Sequence, residues 1–270
     1  MKSSSPRSPL VSLVLTLSVS LAACGVRGTS TQNIEQAQRE VQLATALYME
    51  EGRVAEAIEH LREAIELDPE SYDAFTVLGT IHLGQGDVSA AEGDFRRAID
   101  LMVEQHAAGH DIATARNYLG ATLMAQSRFE EALEPITLAA NDELFQTPHV
   151  AWGNLGLCYL ELRRYPEAIA ALVRSIELGP RFCTGYYWLG RAYFETEQLE
   201  DAEIALVRSV EVDPSCSTSP RLQNAWRLRG EVRAQLGYRD DALADFERCV
   251  ELGPNSPDGR ACQRQLDATP

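Results

Sequence analysis

The chain has 270 residues, 45% of them hydrophobic, which is enough for a buried core and excludes a disordered composition. Lys2 and Arg7 precede Cys24, so the remainder from Cys24 holds 22 Arg, no Lys and 40 acids, a formal charge of −18. Such a surface repels nucleic acid and anionic lipid headgroups, so no nucleic-acid partner is expected, and any membrane contact must come from something other than a basic patch.

Lys2 and Arg7 form a positive start, and residues 10–23, LVSLVLTLSVSLAA, form an apolar run of 14. That length suits a secretory signal and falls short of the ~20 residues a spanning helix needs. The run ends in Leu21-Ala22-Ala23-Cys24, which resembles the lipobox of bacterial lipoproteins. The resemblance implies a signal peptide over 1–23, cleavage before Cys24, a diacylglycerol on its thiol and an acylated new N-terminus. Each buried CH₂ contributes ~0.8 kcal/mol, so two or three chains anchor stably where one would not. Residues 24–37 then read as the lipidated cysteine and a flexible tether that begins GVRGTSTQN. Gly25 is not the aspartate that goes with inner-membrane retention, so the expected destination is the outer membrane, on its periplasmic face.

The rest repeats. AWGNLGLCYLELRRYPEAIAALVRSIELGP (151–180) is followed by YYWLGRAYFETEQLEDAEIALVRSVEVDP (186–214), and Gly156 and Gly190, like Pro180 and Pro214, are 34 residues apart. This period and pattern resemble the tetratricopeptide repeat, a helix–turn–helix unit. Six copies fit, at 38–71, 72–105, 113–146, 149–182, 183–216 and 223–256, with a capping helix and tail over 257–270. An alanine recurs in all six: Ala57, Ala91, Ala132, Ala168, Ala202, Ala242. A glycine recurs in five: Gly79, Gly120, Gly156, Gly190, Gly230. Gly inside a helix costs about 1 kcal/mol against Ala, so five at one position imply close packing there. The expected fold is all-α, a right-handed solenoid whose stacked repeats leave a concave groove. Copy six departs from the pattern, with Arg229 and Arg233 where other copies are apolar.

Catalytic chemistry has no sequence signal. His106 and His110, with Asp111 adjacent, share a helix spacing but lack further ligands of recognisable spacing, so no metal is expected. No phosphate-binding glycine loop and no nucleophile elbow occur, and no enzymatic activity, cofactor or small-molecule substrate is expected. Besides Cys24 there are five cysteines, an odd number in a chain destined for an oxidising compartment. Cys183 starts one repeat and Cys216 ends it, so both lie near the starts of adjacent first helices. Cys249 lies in the second helix of copy six and Cys262 in the capping helix. Both pairs can come within the ~7 Å between Cα atoms that a disulfide requires. Cys158 is left over; the alternative is five buried free thiols.

Residues 115–133, ARNYLGATLMAQSRFEEAL, precede TPHVAWGNLGLCYLELRRYPEA at 147–168. With the lipobox and six repeats, this arrangement resembles the pilotin lipoproteins of type IV pilus biogenesis, and within them the myxobacterial Tgl-type social-motility lipoproteins. Asn117, Tyr118, Gly120, Asn154, Gly156 and Cys158 carry the match; Met124 stands where that family often has a cysteine. The resemblance implies a non-enzymatic factor that binds the pilus secretin and promotes its multimerisation at the outer membrane. A general envelope adaptor, organising peptidoglycan enzymes or outer-membrane assembly machinery, is the alternative. First-helix positions place Asn117, Tyr187, Arg191, Phe194 and Arg227 in the partner-binding groove, and aromatics and Arg are the residues enriched at interface hot spots.

Overall fold

The structure, a computed structural model, describes residues 29–107 and 109–268; Cys24 and the signal segment lie outside the described residues. It is built from six antiparallel helix pairs: α1 (Thr31–Met49) with α2 (Val54–Leu67), α3 (Tyr72–Gln85) with α4 (Val88–Glu104), α5 (Gly109–Ala125) with α6 (Phe129–Ala140), α7 (Pro148–Glu161) with α8 (Tyr165–Leu178), α9 (Cys183–Glu195) with α10 (Leu199–Glu211), and α12 (Gln223–Leu236) with α13 (Arg239–Leu252). The short α11 (Pro214–Thr218) and a single 3₁₀ turn (Pro220–Leu222) separate the last two pairs, and α14 (Pro257–Asp267) packs on α13. Each pair packs against the next, which makes a solenoid.

The expected tether is shorter than the sequence suggested. Ser30 accepts a hydrogen bond from the Asn33 N–H at 3.2 Å and starts α1 at Thr31, so residues 31–37 are helical and Ala37 is fully buried. α5 likewise begins at Gly109, within residues 106–112 that separate copies two and three in the sequence.

The recurrent glycines have a single cause. A Cβ on Gly79, Gly120, Gly156, Gly190 or Gly230 would lie 2.9, 2.1, 2.5, 2.6 or 2.6 Å from Phe95, Ile136, Leu172, Leu206 or Phe246. Each of those side chains stands sixteen positions later, on the second helix of the same pair, and each is buried. The glycine is thus a socket for a large side chain that crosses from the partner helix. The six recurrent alanines are buried too, at 0–3% exposure, and keep the paired helices close.

The turns between paired helices share a second device. One residue in each adopts the left-handed conformation: Gly52, Gly86 and Gly237 in three pairs, Ser127, Arg163 and Glu197 (each φ 59°) in the others. Pro166 lies in the first turn of α8, where its missing N–H costs nothing.

Candidate partner-binding groove

Cavities open between successive first helices. One of 620 Å³ lies between α1 and α3 over Val41, Thr45 and Val77. At the other end two smaller cavities of 180 and 370 Å³ share Arg191 and Glu195 of α9. The first adds Glu161, Arg163 and Tyr165; the second adds Tyr187, Phe194, Arg227 and Glu231. The structure therefore brings together four of the five residues assigned to the groove.

Their roles differ from simple lining. Tyr187 is only 8% exposed and packs in an apolar cluster with Leu206, Leu222, Ala225 and Leu228, so its ring is core. Burial pushes its hydroxyl pKa up. Phe194 is part-buried against the same cluster. Arg191 donates to Glu161 Oε1 at 2.8 Å. Arg227 donates from Nε to Asp258 Oδ1 at 2.7 Å and from Nη1 to Glu231 Oε1 at 2.5 Å, so the first turn of α14 closes this end. The acids outweigh the cost of burying that guanidinium, and its pKa rises.

Asn117 stands apart. It is 8% exposed, and its Oδ1 accepts from Asn154 Nδ2 at 3.1 Å, which ties α5 to α7. It is a buried link between first helices, not an open binding residue. An amide in that place satisfies a polar atom that burial would otherwise leave unpaired.

Two disulfides frame the same end. Cys183–Cys216 fastens α11 to the start of α9, with Cα atoms 6.1 Å apart, and Cys249–Cys262 fastens α14 to α13 at 6.2 Å. Cys158 is a fully buried free thiol, pushed up to about 12 by burial, with a smaller contribution from Glu161. A thiol so shielded is inert.

The arginines of copy six belong to a buried ionic cluster missed in the sequence. Arg229 meets Asp245 through two hydrogen bonds, Arg233 adds a third at 3.0 Å, and Glu211 and Glu203 sit on the outer sides. The signal available was Asp245 on the facing helix, sixteen residues after Arg229.

Tetratricopeptide-repeat sequence models match residues 46–102, 149–182 and 184–216. The chain carries tetratricopeptide repeats. Such repeats are non-catalytic scaffolds for protein interaction. The type IV pilus assembly protein PilF of Pseudomonas aeruginosa is 28% identical over 172 residues, 62% of this chain and 65% of that protein's length, just under two thirds. Among solved structures, PilW, described as a widely conserved type IV pilus biogenesis factor, superposes with a TM-score of 0.70 at 23% identity, covering 84% of this chain and 98% of PilW. The solved structure of Pseudomonas aeruginosa PilF gives 0.70 at 21%, covering 87% and 99%. At those identities the superpositions establish the shared tetratricopeptide fold. No described helix is long and apolar enough to cross a membrane.

Proposed function

We propose that this protein acts in type IV pilus biogenesis as a lipid-anchored pilotin that binds the outer-membrane secretin and promotes its assembly. The observation that carries the reading is the 172-residue similarity to PilF, over a fold that spans nearly the whole of PilF and PilW. The secretin comes from the pilotin-like stretches at 115–133 and 147–168, and the anchor from the lipobox ending at Cys24. An acylated Cys24 would hold a partner-binding solenoid at the membrane where the channel forms and raise the local concentration of the two proteins. The first helices supply recognition, since the cavities open between them.

The test is deletion of the gene, followed by a detergent gel that separates secretin rings from monomers. Loss of rings, restored by the wild-type gene, is the expected result. Unchanged rings with unchanged pili would overturn the pilotin reading and favour the general envelope adaptor. For the anchor, Cys24→Ala should leave the precursor uncleaved and move the protein out of the outer-membrane fraction; a mature, acylated variant would refute the lipobox.

A further inference from the structure

The groove between α7 and α12 has one polar group without a partner and one carboxylate without a cation. The first is the Tyr187 hydroxyl. The residue is more than nine-tenths buried, yet the hydroxyl bonds to no group among the described residues and lines the 370 Å³ cavity. The hydroxyl is not among the sealed, unpartnered side-chain atoms of the described residues, so it opens onto that cavity as a free donor on an otherwise buried ring. The second is Glu195, exposed on the rim shared by both cavities, in no ion pair among the described residues and reached only by the Tyr165 hydroxyl at 3.4 Å.

The arginines nearby do not answer either need. Arg191 is engaged with Glu161, and Arg227 with Glu231 and Asp258. With Glu195, four carboxylates face two guanidiniums. The exposed Arg163, at the far edge, still leaves a negative surplus. An anion entering here meets that surplus and arginines already paired; a cation meets Glu195. Tyr187, its hydroxyl kept protonated, offers a donor and so calls for an acceptor. The two residues are eight apart on α9, about 12 Å along the axis, a span that about four residues of extended chain cover.

We propose that this groove binds an extended basic segment of the protein partner, one main-chain carbonyl accepting from the Tyr187 hydroxyl and one Lys or Arg side chain pairing with Glu195. The charge of −18 from Cys24 onward draws such a segment in, and the two contacts set its register. The inference rests on the partner-binding reading above and adds the partner's chemistry.

The experiment uses the full chain in detergent and two labelled decapeptides, one alternating Arg and Ser, the other Glu and Ser, followed by fluorescence anisotropy at about 0.15 M salt, where long-range attraction is screened. The basic peptide should bind and the acidic one should not. Tyr187→Phe keeps the ring and removes only the hydroxyl, and should weaken binding about fivefold, the worth of one hydrogen bond. Glu195→Gln, on an exposed side chain that leaves the fold alone, should weaken it about tenfold. Glu63→Gln, an exposed acid on α2, should bind as wild type. Tighter binding of the acidic peptide, binding of neither, or equal affinity for wild type, Tyr187→Phe and Glu195→Gln would overturn the proposal. Those results leave the secretin gel untouched, and a failed gel leaves the peptide measurements standing, so the two readings fail separately.

Discussion

Arg229 on α12 grips Asp245 on α13 through two parallel hydrogen bonds, Nε to Oδ2 at 2.9 Å and Nη2 to Oδ1 at 2.6 Å, with both side chains 5% exposed or less. Asp245 also takes Arg233 at 3.0 Å, and the Arg229 guanidinium lies 4.5 Å from the centre of the Trp226 ring. Asp245 therefore bridges two arginines that replace the apolar residues of the other repeats, with Glu211 and Glu203 as their outer partners. Removing Asp245 leaves the buried Arg229 with only the exposed Glu211 carboxylate, and Arg233 with Glu203. Asp245→Ala should cost about 3–5 kcal/mol, read from urea unfolding. Arg229→Leu combined with Asp245→Leu should cost less than Asp245→Ala alone, because the pair is expensive to break and cheap to replace. A double variant less stable than the single would show that the cluster, not its broken remnant, sets stability.

The glycine sockets make a paired prediction. Gly156→Ala puts a Cβ 2.5 Å from Leu172 Cγ, and the buried Leu172 has nowhere to go. Overpacking of that kind costs about 1–3 kcal/mol, against the ~1 kcal/mol that Ala gains over Gly in a helix. Gly93, inside α4, has nothing within 4 Å of the same added carbon. Gly93→Ala should therefore raise the unfolding free energy by about 1 kcal/mol while Gly156→Ala lowers it. Thermal melts of the two variants decide this, and equal signs would remove the socket argument.

Much of this fold was legible because a repeat states its rules several times. Five glycines and six alanines at one phase announced tight helix pairs, and the structure supplies what fills the sockets. Residues 31–37 were misread because small polar residues at 29–33 look like linker, while Ser30 is in fact a cap whose helix buries Ala37. The groove was legible by helical phase alone, which brought Tyr187, Arg191, Phe194 and Arg227 to one cavity. Phase cannot tell whether a first-helix residue is open or sealed. Asn117 is sealed by Asn154, and the Tyr187 ring by the apolar residues of α10 and α12. Replacing Tyr187 by Ala would thus test packing as much as binding. Arg229 and Arg233 looked like defects because their partner Asp245 lies on the other helix, which a single-helix pattern does not show.

The turn geometry gives another expectation. Glu197 is exposed and holds φ at 59°, where Gly52, Gly86 and Gly237 do the same work without a Cβ. A non-glycine residue in the left-handed region costs about 1–2 kcal/mol, partly offset by the extra freedom glycine has when unfolded. Glu197→Gly should accordingly stabilise the protein by about 0.5–1 kcal/mol, measured by urea unfolding. A destabilised variant would mean that the glutamate side chain contributes more than its backbone strain removes.

The disulfides can be separated by the chain they close. Cys183 and Cys216 are 33 residues apart and Cys249 and Cys262 are 13 apart, so the first restrains more of the unfolded chain. By loop-closure entropy the larger loop is worth about 3.7 kcal/mol and the smaller about 2.9. Paired Cys→Ser replacement at 183 and 216 should therefore lower stability more than replacement at 249 and 262, and it should also free α11 from the start of α9, the helix that carries Tyr187 and Glu195. Iodoacetamide distinguishes the thiols directly. In the folded protein Cys158 should escape alkylation, since burial pushes its pKa up to about 12 and denies it the reactive thiolate at neutral pH. After unfolding without reductant, Cys158 alone of the five repeat-region cysteines should be labelled; label at Cys183 or Cys216 would break the staple on which the order of the two losses depends.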